Sequence, residues 1–229
     1  MSLNKSPETD GRRSWEGSPT PRPLPWLAGA LLLLAGALLL GTVVREFDDI
    51  QAMFMEDGPI EILQAGMLVI AAAVFAFGFL RSAGSRALFC AFAAFALIFA
   101  VTRELPRCGS AFSGDGMCLQ SGWKTIIVAG AALLALVAVL VRRQEWTREV
   151  LRLSNIRWVW PCFVVVLFLA GGEAAEHRIH VEIEESLELA AYLYVTAYGL
   201  WILRQTRAAT NAAELGLAAG RRRTDEVPG

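Results

Sequence analysis

The sequence predicts an all-α fold, a polytopic membrane helical bundle of about six transmembrane helices. Three observations carry that prediction. Hydrophobic residues make up 55% of the 229-residue chain, above the roughly 45–50% usual for soluble domains. The apolar residues fall into long runs with few charges, close to the ~20 residues that cross a ~30 Å hydrocarbon layer at 1.5 Å per residue. The basic residues collect on alternate connections between those runs, as the positive-inside rule requires of cytoplasmic loops.

Taken in order, the predicted spans are 26–44, 60–80, 87–102, 126–141, 156–175 and 187–203. The first, second and last are the plainest. The first exceeds the 7–15 apolar residues typical of a cleaved leader, and no A-x-A site follows, so it reads as a retained anchor. The third and fifth are short unless flanking polar residues enter the membrane, which takes Glu173 in with the fifth. Small residues lighten the first span at Gly29, Gly36 and Gly41 and permit close helix approach. Residues 1–25, with five prolines among Ser, Gly and charges, read as a disordered cytoplasmic tail. The bundle occupies 26–204, and 205–229 form a second cytoplasmic tail whose Ala-rich start prolongs the last helix by a few turns.

With both termini cytoplasmic, sixteen of the 21 Lys and Arg lie inside, and only Arg45, Arg103, Arg107, Lys124 and Arg178 lie outside. Trp26, Trp158, Trp160 and Trp201 fall at inner span ends and Trp123 at an outer one, where amphipathic rings belong. Fourteen of the 22 acids lie on the outer side. Cys108 and Cys118 bracket a Gly/Ser-rich outer segment, where an oxidising compartment favours their disulfide. Cys90 and Cys162, inside spans, read as apolar packing residues. A net charge of −1 and basic loops that follow topology exclude nucleic acid as a partner. The expected surroundings are the lipid bilayer, with a protein partner or a second copy left open.

The candidate site is the acidic outer face. Glu61 opens the second span, Arg103 and Glu104 close the third, Glu173 lies near the end of the fifth and Glu188 lies inside the sixth. Ionisable groups at such depth face the bundle interior by default and mark function, and Arg103 is their nearest countercharge. Between the last two spans, Glu173, His177, His180, Glu184 and Glu188 step by 4, 3, 4 and 4, so a continuous helix aligns them in one stripe. Imidazoles and carboxylates on one face suit a divalent metal held by His177, His180, Glu173 and Glu184. Two features oppose the stripe. Residues 178–184 alternate polar and β-branched side chains, an extended-segment signal, and Gly171-Gly172 invites a break after the fifth span.

Three function classes follow. In a metal-dependent lipid hydrolase or transferase, Glu188 or Glu61 is the general base on a bound water and Arg103 holds an anionic group. In a proton- or cation-coupled transporter or relay, Glu61, Glu104, Glu173 and Glu188 carry the ion and Arg103 is a movable partner. In a structural or assembly subunit, the same groups serve stability alone. No phosphate-binding, nucleophile-elbow or H-E-x-x-H motif is present, as those chemistries would require.

The stretches Glu56-Asp-Gly-Pro-Ile-Glu61, Thr102-Arg103-Glu104-Leu and Glu184-Glu-Ser-Leu-Glu188-Leu resemble a loose group of functionally uncharacterised bacterial multi-pass inner-membrane proteins. The likeness covers about residues 45–205 and implies an inner-membrane location and a shared role for the acids. A fainter resemblance is to the membrane hydrolase superfamily that includes the alkaline ceramidases, which implies zinc held by three histidines. This chain departs from that pattern with two histidines and six predicted spans in place of seven.

Overall fold

The computed structural model describes residues 20–47, 54, 59–82, 84–105, 108, 118–141, 156–176 and 181–225. These form six helices: α1 (Pro23–Val44), α2 (Pro59–Arg81), α3 (Gly84–Glu104), α4 (Ser121–Val141), α5 (Ile156–Glu176) and α6 (Val181–Asp225). Each contains a stretch long and apolar enough to cross a membrane, and the chain is an integral, multi-pass membrane protein.

The helices run past their apolar runs to take in polar side chains, some buried, as Glu104 is, and some exposed, as Arg103 and Glu173 are. α3 takes in Arg103 and Glu104, and α5 takes in Glu173, as length required. α1 starts at Pro23 rather than at Trp26, with proline in its first turn, where the missing N–H has no intrahelical acceptor to lose. α6 departs most from expectation. It begins at Val181 instead of 187, with Glu182 and Glu184 in its first turn, where the positive end of the helix dipole favours carboxylates. It also continues to Asp225, so the segment from 205 prolongs the last span well beyond a few turns.

α6 is the central rod, packed against α1, α2 and α5, while α2 also packs on α3 and α4 packs on α3. Leu68, Ala71 and Phe75 of α2 meet Ala191, Tyr198 and Ile202 of α6 in the core. Leu31, Leu32, Leu133, Leu134, Val166 and Leu167 point outward, the apolar belt that lipid covers.

Two glycines let α6 sit deep. A Cβ on Gly41 would stand 2.9 Å from Ile183 Cα and 3.1 Å from the Glu182 carbonyl oxygen, and one on Gly199 would stand 2.9 Å from the Phe75 ring. Gly29 and Gly36, by contrast, have nothing within 4 Å of that position. Of the three small residues singled out in the first span, Gly41 alone makes a close crossing.

The two ends of the bundle differ in chemistry. At one end Trp26 meets Tyr194, Tyr198 and Trp201 edge-on, with ring centroids 5.4, 5.6 and 6.1 Å away. Tyr198 Oη donates to the Trp158 carbonyl at 2.5 Å, and the Arg86 guanidinium lies 5.0 Å over the Trp158 ring. Three of the tryptophans expected at one membrane face thus form one packed cluster. The other end gathers the acids.

Candidate functional site

The acid end is built on the first three turns of α6. Glu185, Glu188 and Tyr192 are spaced three and four residues apart, which puts them on one helix face. That face meets α2 and α3. Gln64 Nε2 donates to both the carbonyl oxygen and Oε2 of Glu185, each at 2.9 Å. Arg103 Nη2 donates to Glu188 Oε1 at 2.9 Å. Tyr192 Oη donates to Glu104 Oε1 at 2.8 Å. Ser186 Oγ turns back onto the Glu182 carbonyl at 2.7 Å.

Burial is deep for groups of this kind. Gln64 is 0% exposed, Glu188 3%, and Glu104 and Glu185 7% each. Arg103 differs, with 56% of its side chain exposed. Glu188 lies in electrostatic reach of Glu104, Glu173 and Glu184, and Glu185 in reach of Glu61, Glu104 and Glu188. Carboxylates from α2, α3, α5 and α6 therefore share one field. Their partners are unequal. Glu188 is bonded to a cation, whereas Glu185 and Glu104 are held by a neutral amide and a neutral phenol. Gln64 Oε1, fully buried, accepts no hydrogen bond from the described residues, although buried polar atoms in folded proteins are paired almost without exception.

Comparison with protein-family models, curated proteins and solved structures returned no match. The chemistry of the site rests on its own residues.

The convergence expected of Glu61, Arg103, Glu104, Glu173 and Glu188 is present, but the single helical stripe is not. α5 ends at Glu176 and α6 begins at Val181, and the two pack side by side. Glu173 and the pair Glu184 and Glu188 thus stand on neighbouring helices instead of one. His177 and His180 lie outside the described residues, as does the choice of helix or extended chain at 177–180; residues 181–184 are helical. Among the described residues no group of three His, Cys, Asp or Glu is arranged to hold a metal ion.

Gly171 and Gly172 do not break α5. Both lie inside it, and a Cβ on Gly172 would meet the Glu184 carbonyl oxygen at 3.5 Å and the Cγ atoms of Glu184 and Glu188 at 3.6 Å. The glycine pair lies where α5 passes the acids, and an added Cβ at either position would meet only ordinary van der Waals contacts.

Gln64, Glu185 and Tyr192 were not legible as site residues. The signal for two of them was the spacing within α6 itself, where Glu185, Glu188 and Tyr192 recur at helical intervals. Gln64 follows Glu61 by three positions on α2, which places the two on one side of that helix. Cys108 and Cys118 are joined as a disulfide, as their spacing indicated. Cys90 and Cys162 are free and wholly or partly buried among apolar groups.

Proposed function

We infer that this protein passes protons or a small cation through the carboxylate cluster of α6, as a proton- or cation-coupled transporter or relay. One observation carries the reading. Glu104, Glu185 and Glu188 are buried together in a membrane-spanning bundle, and Glu188 alone of the three is hydrogen-bonded to a cationic side chain. An ionised carboxylate at such depth costs several kcal/mol unless it is paired. Arg103 and Lys124 act on Glu104 through space, whereas the groups that act on Glu185 are Gln64 and the carboxylates of Glu61, Glu104 and Glu188; a proton or a bound cation offsets the charge there, and a group neutralised from outside the chain is suited to exchange. Arg103, bonded to Glu188 yet more than half exposed, is the movable countercharge.

The acid end faces outward in this reading, with both termini in the cytoplasm of a bacterial inner membrane. The distribution of Lys and Arg supports that orientation, and so does the Cys108–Cys118 disulfide at the same end, since such bonds persist in oxidising compartments.

The test is flux through the purified protein in liposomes carrying a pH-sensitive dye, under an imposed proton or sodium gradient. Wild type dissipates the gradient, and Glu185→Gln and Glu188→Gln fall to the rate of empty liposomes while keeping the thermal stability of wild type. Wild-type flux equal to that of empty liposomes under every gradient overturns the reading.

A second reading is divalent-cation binding by Glu173, Glu184, His177 and His180. The electrostatic contact of Glu188 with both Glu173 and Glu184, acids of different helices, favours it. Stoichiometric metal in the purified protein, lost in a His177→Ala/His180→Ala variant, supports it; equal metal content in the two forms removes it.

A further inference from the structure

A cavity of 540 Å³ opens between α3 and α4, lined by Phe99, Thr102, Arg103, Lys124, Thr125, Val128 and Ala129. Its size falls within the roughly 300–1,000 Å³ of small-molecule sites. None of the carboxylates of the α6 cluster lines it. The cavity is amphipathic along the helix axes. Arg103 in the last turn of α3 and Lys124 in the first turn of α4 form its polar rim, and Phe99, Val128 and Ala129 line it one or more turns deeper.

The geometry points to a site for an anionic phospholipid in this groove, with Arg103 and Lys124 holding the headgroup phosphate and Phe99, Val128 and Ala129 contacting the start of an acyl chain. Two features carry it. Both titratable groups of the lining are cationic; Glu188, Glu104 and Glu173 act on Arg103 and Glu104 on Lys124 from behind the groove, so an anion is drawn by the donors those acids leave unused. Arg103 spends one donor on Glu188, and a guanidinium has five N–H groups in a fork that matches phosphate; the side chain is 56% exposed and is part of the groove lining. Thr102 Oγ1 donates to the Phe99 carbonyl at 2.7 Å and Thr125 Oγ1 to the Ser121 carbonyl at 3.3 Å, so the two threonines spend their protons on the helix backbone and leave the anion to Arg103 and Lys124.

The occupant is a lipid rather than a free anion because of what surrounds the groove. α4 packs on α3 and exposes Ile126, Leu133, Leu134, Leu136 and Leu140 along its length, so the helix that forms one wall of the groove is itself bathed in hydrocarbon. Its cations sit at span ends, where long basic side chains reach the headgroup level. Lys124 Nζ also donates to the Leu105 carbonyl, which holds the ammonium at the end of α3 beside Arg103. The site does not depend on ion passage through the α6 carboxylates, and its test uses residues outside them.

The full chain is purified in detergent and titrated with fluorescent phosphatidylglycerol, with phosphatidylcholine as the zwitterionic control and inorganic phosphate as competitor. Wild type is expected to prefer phosphatidylglycerol. Lys124→Gln should weaken that lipid about fivefold, the equivalent of ~1 kcal/mol, while Lys124→Arg retains it. Val128→Trp, which fills the groove without altering charge, should lose the lipid and keep the thermal stability of wild type. Equal binding of the two lipids by wild type overturns the site, as does phosphatidylglycerol binding by Val128→Trp at wild-type strength. Full displacement by inorganic phosphate at the lipid's own concentration would make it a free-anion site and overturn the lipid assignment.

Discussion

Arg103 and Glu188 form an ion pair with two unlike members: Nη2 lies 2.9 Å from Oε1, yet the arginine side chain is 56% exposed and the glutamate 4%. The cost of separating them falls on the glutamate, because an exposed guanidinium is readily solvated and a buried carboxylate is not. Arg103→Gln should therefore destabilise the protein by about 1–3 kcal/mol, and Arg103→Gln/Glu188→Gln should recover most of the loss. Thermal unfolding of the two single variants and the double variant in one detergent measures the cycle. Additive losses would show that the pair contributes no coupling.

Gln64 bonds twice to Glu185, and its own Oε1 has no partner among the described residues. Replacing it with Leu removes both donors from a buried carboxylate and should cost about 1–3 kcal/mol. Gln64→Glu puts a second carboxyl beside the first, so a shared proton must replace the amide N–H. That variant is expected to be more stable in acid than in neutral buffer, a trend that unfolding curves at several pH values will detect.

The glycines of α1 should separate cleanly. Gly41→Ala pushes a methyl to within 2.9 Å of Ile183 backbone, and overpacking of that sort costs about 1–3 kcal/mol. Gly29→Ala and Gly36→Ala meet open space and should be neutral or slightly stabilising, because alanine is the better helix former by ~1 kcal/mol. Unfolding midpoints of the three variants, ranked, provide the check.

At the aromatic end, Tyr198 is fully buried and its hydroxyl donates to the Trp158 carbonyl. Tyr198→Phe keeps the ring contacts with Trp26 and Trp201 and deletes that bond, for an expected loss of about 1 kcal/mol. Tyr198→Ala also opens a cavity and should lose roughly 3–5 kcal/mol. A loss for Tyr198→Phe as large as that for Tyr198→Ala would contradict the packing described for this cluster.

The Cys108–Cys118 bond closes a short loop between α3 and α4. Cross-linking a loop of that size restricts the unfolded chain by an amount worth up to about 3 kcal/mol. Reduction, or Cys108→Ser, should lower the unfolding temperature and shift mobility on a non-reducing gel. Unchanged mobility on reduction would exclude the bond.

What the sequence determined by itself was the number, order and composition of the membrane rods, the pairing of Cys108 with Cys118, and the gathering of Glu61, Arg103, Glu104, Glu173 and Glu188 at one end. Those follow from one-dimensional quantities: run length against bilayer thickness, and alternation of direction from span to span. The tertiary structure decided which side each rod turns to its neighbours. Rotation about a helix axis is set by packing partners far away in the chain, so Gln64 against Glu185, Glu104 against Tyr192, and Gly172 against Glu184 could not be read from local spacing. For the same reason the stripe expected along residues 173–188 divides between α5 and α6, and Arg103 and Lys124 meet over a groove only because α4 leans on α3.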